Sequence, residues 1–331
     1  MSSIDVHAHL VPSTLINTLE THGHEFGVSL IENKPGCQFC RFKNGTEIRP
    51  FFDRLTNVDK RLVEMDQQGI GREILSMWTD IFGYELPTNE GKRWHRALND
   101  SLKRVCQQHP DRFSWLASGP LGNPADAAIE LENSIKDGAV GAIVAAHIAG
   151  KNLGECELDE FWSACVELGS PVFIHPAQPI PAPRTRRFAL NQVVGYTNDT
   201  TLCVGSLISA GVLDKYPKLN LILSHGGGSI PFLIGRFDRM HDVGNNKVTG
   251  NVAGKLPSDY LKQFHYDTIL HNTSAIRYLR DLVGIEKLLL GSDLPFPPGD
   301  PDPLLTLANA NFSEKDILAV TEANARSLFN I

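Results

Sequence analysis

Two histidines stand one residue apart at the end of the first apolar run, in Asp5-Val6-His7-Ala8-His9. Side chains at i and i+2 of an extended strand share a face. His7 and His9 therefore project together, about 7 Å apart along the strand. Two imidazoles so placed can grip one metal ion. Pro12 follows and stops the strand, so the pair lies at its C-terminal end. In a β/α barrel that end is the active-site face.

The same pattern recurs downstream. Further apolar runs end in Ile174-His175-Pro176, in Ser224-His225-Gly226-Gly227-Gly228 and in Gly291-Ser292-Asp293. His7, His9, His175 and Asp293 give three imidazoles and one carboxylate. Such a set suits Zn2+ and leaves a position for water or substrate. Mn2+, Fe2+ and Co2+ accept the same donor types. His225 could ligate as well, but the preferred reading makes it the acid–base residue beside a bound water. A metal lowers that water's pKa towards about 7, where a histidine exchanges protons. One ion per chain is expected, because the fourth strand ends in Ala145-Ala146-His147, with no lysine or acid to bridge a second.

The elements that must position these residues alternate regularly. Strands are expected at 4–9, 72–77, 113–118, 140–146, 172–175, 219–225, 264–269 and 287–293. Helices are expected at 57–68, 89–108, 124–136, 158–168, 200–210, 230–240 and 274–283, with a helical tail over 302–328. Eight strand–helix units close most simply as an α/β protein of the (β/α)8, TIM-barrel type. An open doubly wound sheet is the alternative, but no Gly-rich phosphate loop follows the first strand. Residues 13–52 break the rhythm, being polar and glycine-rich. They are expected to form a small insertion over the barrel mouth, with a short hairpin, inside a single domain spanning 1–331.

The chain has 331 residues, 42% of them hydrophobic, enough for one large core. A net charge of -7 argues against a nucleic-acid or anionic-membrane surface. No apolar stretch is long enough to span a bilayer, and no basic-then-apolar leader opens the chain. Six cysteines are scattered as reduced thiols usually are. A soluble, cytoplasmic protein is expected.

The set Asp-x-His-x-His, Ile-His-Pro, Ser-His-Gly-Gly-Gly-Ser and Gly-Ser-Asp-x-Pro-Phe-Pro resembles the amidohydrolase superfamily of metal-dependent hydrolase-like barrels. Within it the chain resembles the aminocarboxymuconate-semialdehyde decarboxylase family almost end to end. Ile48-Arg49-Pro50, Glu64-Met65-Asp66-x-x-Gly69, Phe82-Gly83-Tyr84, Leu233-Ile234-Gly235-Arg236 and the final Phe329-Asn330-Ile331 carry that likeness. The resemblance implies a zinc-dependent, non-oxidative decarboxylase of an aromatic or dienoic acid. It implies His7, His9, His175 and Asp293 as metal ligands, and His225 with Asp293 as the catalytic pair. It also implies that Arg49 and Arg236 bind substrate carboxylates, Arg236 reaching in from the other subunit of a homodimer. Phe188 and Phe296 are the aromatic residues expected at the substrate. Where the family's decarboxylase of tryptophan breakdown carries a tryptophan after strand five, this chain reads Arg186-Arg187-Phe188. The substrate therefore stays open between a muconate-semialdehyde type and a salicylate type.

Other signals carry less. His22-Gly23-His24 repeats the spacing in what reads as loop, and Cys37-x-x-Cys40 lacks the second pair that a zinc knuckle needs. His147 and Asp267 end strands and could face the mouth. Trp78, Phe82 and Tyr84 read as core residues, of which a few could sandwich a planar ligand. A hydrolase or hydratase on the same barrel, acting on a lactone or double bond, is the alternative activity. A catalytically silent binding barrel is the alternative class.

Overall fold

The computed structural model describes residues 3–179, 183–243 and 250–331. Strand β1 (Ser3–His9) is buried along its whole length. The residues expected to form a polar insertion follow it as helix α1 (Ser13–Phe26) and an antiparallel hairpin, β2 (Val28–Lys34) with β3 (Cys37–Phe42). The helix was not expected. Its apolar residues Leu15, Ile16, Leu19 and Phe26 fall on one face and are buried. Phe26 reaches the indole of Trp94, ring centres 5.8 Å apart. Gly27 then closes the helix at φ 68, a left-handed turn that glycine adopts without strain. His22 and His24 consequently sit on a helix and not in a loop.

The barrel strands follow in turn: β4 (Ile70–Ser76), β5 (Phe113–Ala117) and β6 (Gly141–Ala145), the short hairpin β7 (His147–Ile148) with β8 (Lys151–Asn152), then β9 (Val172–His175), β10 (Leu221–Leu223), β11 (Phe264–Asp267) and β12 (Leu288–Leu289). Eight of them form one parallel sheet in the order β1-β4-β5-β6-β9-β10-β11-β12. The backbone beyond β12 returns to β1. Val6 N–H donates to Leu290 O at 2.9 Å, Asp293 N–H to His7 O at 2.8 Å, and His9 N–H to Leu294 O at 2.8 Å. These bonds close the barrel and place Asp293 beside the two histidines.

The helices α2 (Asp53–Thr56), α3 (Val58–Gln68), α4 (Thr88–Gln108), α5 (Pro124–Lys136), α6 (Asp159–Glu167), α7 (Tyr196–Ser209), α8 (Val212–Lys215) and α9 (Ile230–Val243) lie between consecutive strands. Strands buried on both faces explain why their sequences read as unbroken apolar runs. Two strands fall well short of their expected lengths. Strand six keeps only Leu221–Leu223, and strand eight only Leu288–Leu289. The functional residues beyond them have left the ladder: His225 takes φ 54 and Asp293 φ 58. Such left-handed conformations strain residues other than glycine and concentrate at working sites. The tail is the short helix Pro303–Ala308, then a left-handed turn at Asn311 (φ 56), then Glu314–Leu318 and Asn324–Phe329 joined without a break through the π turn Ala319–Ala323.

Candidate active site

His7, His9, His175 and Asp293 each turn one ligand atom inward, and all four atoms lie within 4.8 Å of one another. The outer nitrogen of each imidazole is tied to the protein. His7 Nδ1 meets Asp267 Oδ2 at 2.6 Å, and His9 Nδ1 meets Ser76 Oγ at 3.1 Å. His175 Nδ1 donates to Pro176 O at 2.7 Å and lies 3.0 Å from Thr79 Oγ1. With Nδ1 carrying the proton, each Nε2 presents its lone pair to the centre. Outer partners of this kind fix ring orientation and raise donor strength in metal sites.

The inner atoms are placed to hold a cation. His7 Nε2 and His9 Nε2 face each other at 3.0 Å, an arrangement that repels unless positive charge sits between the lone pairs. Asp293 Oδ1 lies 3.1 Å from His7 Nε2 and 3.3 Å from His9 Nε2. His175 Nε2 and Asp293 Oδ1 are buried with no hydrogen-bond partner, a costly state that a ligated ion relieves. Electrostatics agree. Burial holds His9 down at about 4, and burial with the neighbouring imidazoles holds His175 well below its ordinary value, so both stay neutral donors. Burial works against charge on His7, yet Asp293 and Asp267 lift it to about 10. Burial would likewise raise Asp293, but His7 and His225 pull it well below the carboxylate range. The site thus demands positive charge at its centre. It is a metal-binding site.

His225 stands beside it. Its Nε2 lies 3.4 Å from Asp293 Oδ2, and its buried Nδ1 has no partner. Asp267 holds the turn that carries it, accepting from the amides of His225 at 2.9 Å and Gly226 at 2.8 Å. One buried carboxylate therefore orients both the ligand His7 and the loop of His225. Sequence reading gave Asp267 only a place at the mouth. Its position at the end of β11, matching the other strand ends, was the available signal. Asp5 does similar work lower down: it accepts from His7 N–H at 2.9 Å and from Ser292 Oγ at 2.5 Å, clamping β1 to the Asp293 segment.

A cavity of about 670 Å3 opens onto the centre, lined among others by Arg49, Trp78, Tyr196, His225, His271 and Phe296. Phe296 packs on His9, Trp78 and Phe52, with ring centres 5.3, 5.4 and 5.9 Å away. The Arg49 guanidinium lies over Trp78 at 5.0 Å and donates to Asp80 Oδ2 at 3.1 Å and Tyr196 Oη at 3.2 Å. Asp80 and Tyr196 went unrecognised in the sequence, since neither stands in a motif. Two expected substrate residues are not at this cavity. Phe188 is 80% exposed, turned out at φ 61 under the Arg187 guanidinium. Arg236 is exposed on α9, a helix that leads away from the rim. His147 faces Asp199 at 4.0 Å in a neighbouring cavity, Cys37 and Cys40 are free thiols on the hairpin, and His22 is exposed on α1.

A family profile described as Amidohydrolase matches residues 4–331. The chain belongs to the amidohydrolase family. This amidohydrolase is 30% identical to the 2-amino-3-carboxymuconate-6-semialdehyde decarboxylase of Dictyostelium discoideum, over 90% of this chain and 82% of that one. In structure it overlays 5-carboxyvanillate decarboxylase from Sphingomonas paucimobilis with a TM-score of 0.82 at 23% identity, covering 100% of this chain and 99% of the other. A dihydroxybenzoic acid decarboxylase from Polaromonas, solved with bound manganese and 2-nitroresorcinol, overlays with a TM-score of 0.76 at 24% identity, covering 99% and 97%. These proteins are carboxy-lyases by name. They carry the barrel that the amidohydrolase shows, and the expected family and fold class are borne out. Among the described residues no helix is long and apolar enough to cross a membrane.

Proposed function

We propose that this amidohydrolase is a metal-dependent, non-oxidative decarboxylase of an aromatic or dienoic carboxylic acid. The observation that carries the reading is a guanidinium, Arg49, anchored on the wall of the cavity that opens onto the metal-binding site and His225. A guanidinium so placed recognises a carboxylate, and Trp78 and Phe296 offer apolar faces to a planar ligand. The named activities of the relatives support the same chemistry.

His7, His9, His175 and Asp293 would hold the ion. We take it as Zn2+, one per chain, from the donor set, with Mn2+ as the alternative that the Polaromonas structure suggests. Bound there, the ion supplies Lewis-acid polarisation of a substrate oxygen. The remaining work falls to side chains. Arg49 holds the substrate by its carboxylate. The faces of Trp78 and Phe296 keep water from the ring or diene. One proton is held between His225 Nε2 and Asp293 Oδ2 and passes to the carbon that bears the carboxylate. That carbon becomes tetrahedral, its bond to the carboxylate breaks, and the electron pair returns to the π system as carbon dioxide leaves. One carboxylate anion and one proton become one shortened product and one carbon dioxide. The test is a panel of carboxylated phenols and dienoic acids incubated with metal-loaded protein. Release of carbon dioxide from at least one acid is expected. A hydrolase or hydratase would instead consume a lactone or an alkene and release none.

We also propose a two-fold dimer in which Arg236 completes the neighbouring site. On α9, Phe232, Arg236, Met240 and Val243 recur at helical spacing, and the three apolar ones are 84%, 50% and 52% exposed. An exposed apolar stripe around one arginine suits an isologous contact. His225→Ala and Arg236→Ala are each expected to be inactive. Mixed after dissociation, half the random dimers are hybrids, with one intact site in each, so about a quarter of wild-type activity should return. No recovery from proven hybrids would place Arg236 outside the partner's site. Six free thiols fit a reducing cytoplasm.

A further inference from the structure

The decarboxylase reading gives Arg49 to the substrate, but 49% of its side chain is exposed, and a long arginine chain left to itself explores many rotamers. The structure holds it in one place. Both of its hydrogen bonds leave from a single terminal nitrogen, Nη2, to Asp80 Oδ2 and Tyr196 Oη. A terminal guanidinium nitrogen has two hydrogens, so these bonds use both. Among the described residues Nε and Nη1 have no hydrogen-bond partner, and they remain for a ligand.

Asp80 is itself clamped. Its Oδ1 accepts from Gln178 N–H at 2.9 Å, its main-chain carbonyl from Gln178 Nε2 at 2.9 Å, and its Oδ2 from Tyr196 at 3.4 Å. Gln178 makes these bonds from a strained φ of 39. The preceding residue, Thr79, touches His175 Nδ1 at 3.0 Å and donates to Pro176 O at 3.0 Å. One tight turn, Thr79–Ile81, therefore grips a metal ligand with one residue and the carboxylate-recognising arginine with the next.

We infer that Asp80, with Tyr196, is a positioning residue for carboxylate recognition: the Thr79–Asp80 turn sets Arg49 at a fixed distance from the metal centre. The inference rests on the reading of Arg49 as the substrate's carboxylate contact. It does not require that the acid be decarboxylated. Neither residue reaches the reacting carbon. A carboxylate bound by Arg49 is held at a defined reach from the oxygen that the metal engages, so the turn selects acids whose two groups have that separation.

Calorimetry on the metal-loaded, full-length protein tests this with 2-hydroxybenzoate and with phenol, which lacks only the carboxylate. The wild type should prefer 2-hydroxybenzoate. Asp80→Asn keeps the side chain's shape but turns an amide towards Arg49. It should weaken 2-hydroxybenzoate by about ten- to hundredfold, leaving phenol affinity and metal content unchanged. Tyr196→Phe should move the same way by a smaller factor, and it carries the test if Asp80→Asn misfolds. In an Arg49→Ala background, Asp80→Asn should cost 2-hydroxybenzoate binding nothing further, because the group it positions is gone. Equal losses for both ligands, no loss for either, an additive double variant, or a wild type without preference would each overturn the assignment. Failure of every acid to release carbon dioxide while this pattern holds would sink the decarboxylase reading and leave the Asp80 assignment standing.

Discussion

Replacing His175 with alanine yields a folded barrel that holds no metal and releases no carbon dioxide. His175 supplies one of four donors, and its Nε2 is a buried atom that the protein leaves without a hydrogen-bond partner. With it gone, His7, His9 and Asp293 still converge, but three donors in a pocket built for four bind far more weakly. Alanine itself is tolerated, since the ring sits at the strand's end and the preceding Val172, Phe173 and Ile174 pack the core. Far-ultraviolet circular dichroism should match the wild type, while elemental analysis finds the metal missing. A His175→Ala protein that is metal-free and fully active would remove the ion from the mechanism.

The His225→Ala variant separates the two halves of the site. It should keep its metal and lose turnover by on the order of 10²–10⁴-fold, the usual contribution of a positioned acid–base group. The geometry supports this division. His225 Nε2 approaches Asp293 Oδ2 at 3.4 Å, on the carboxylate oxygen opposite the one that faces the imidazoles. The loss should appear in kcat with a nearly unchanged KM, because the substrate is held elsewhere, by Arg49 and the aromatic walls. Metal content measured on the same sample decides the role. A variant that arrives without metal makes His225 a fifth ligand.

The residues at strand ends were legible because a buried parallel strand reads as an apolar run, and a polar residue closing that run stands out. His7, His9, His175, His225 and Asp293 all announce themselves in this way, and the structure brings all five together. Asp267 closes β11 by the same rule. It was undervalued because its task, holding His7 and the amides of the His225 turn, needs contacts across 260 and 42 residues of chain that no local pattern displays. Asp80 and Tyr196 were illegible for a related reason. One lies in a turn beyond β4 and the other opens α7, and their meeting with Arg49 spans 31 and 147 residues. Helix α1 was hidden by its many threonines and by Gly23, which are poor helix formers. Burial of one apolar face against α4 outweighs that preference. The early exits of strands six and eight from the sheet depend on left-handed turns at His225 and Asp293, a conformation that sequence rarely assigns to residues other than glycine or asparagine.

In the proposed reaction the site delivers a proton to the carbon that loses its carboxylate. The direct measurement is turnover of a carboxyl-labelled acid in deuterium oxide, followed by mass spectrometry and proton magnetic resonance of the product. Labelled carbon dioxide should appear in step with product, and each product molecule should carry one deuterium at the vacated carbon. A product that retains the labelled carboxyl and gains an oxygen from solvent would contradict the account and make the amidohydrolase a hydrolase or hydratase.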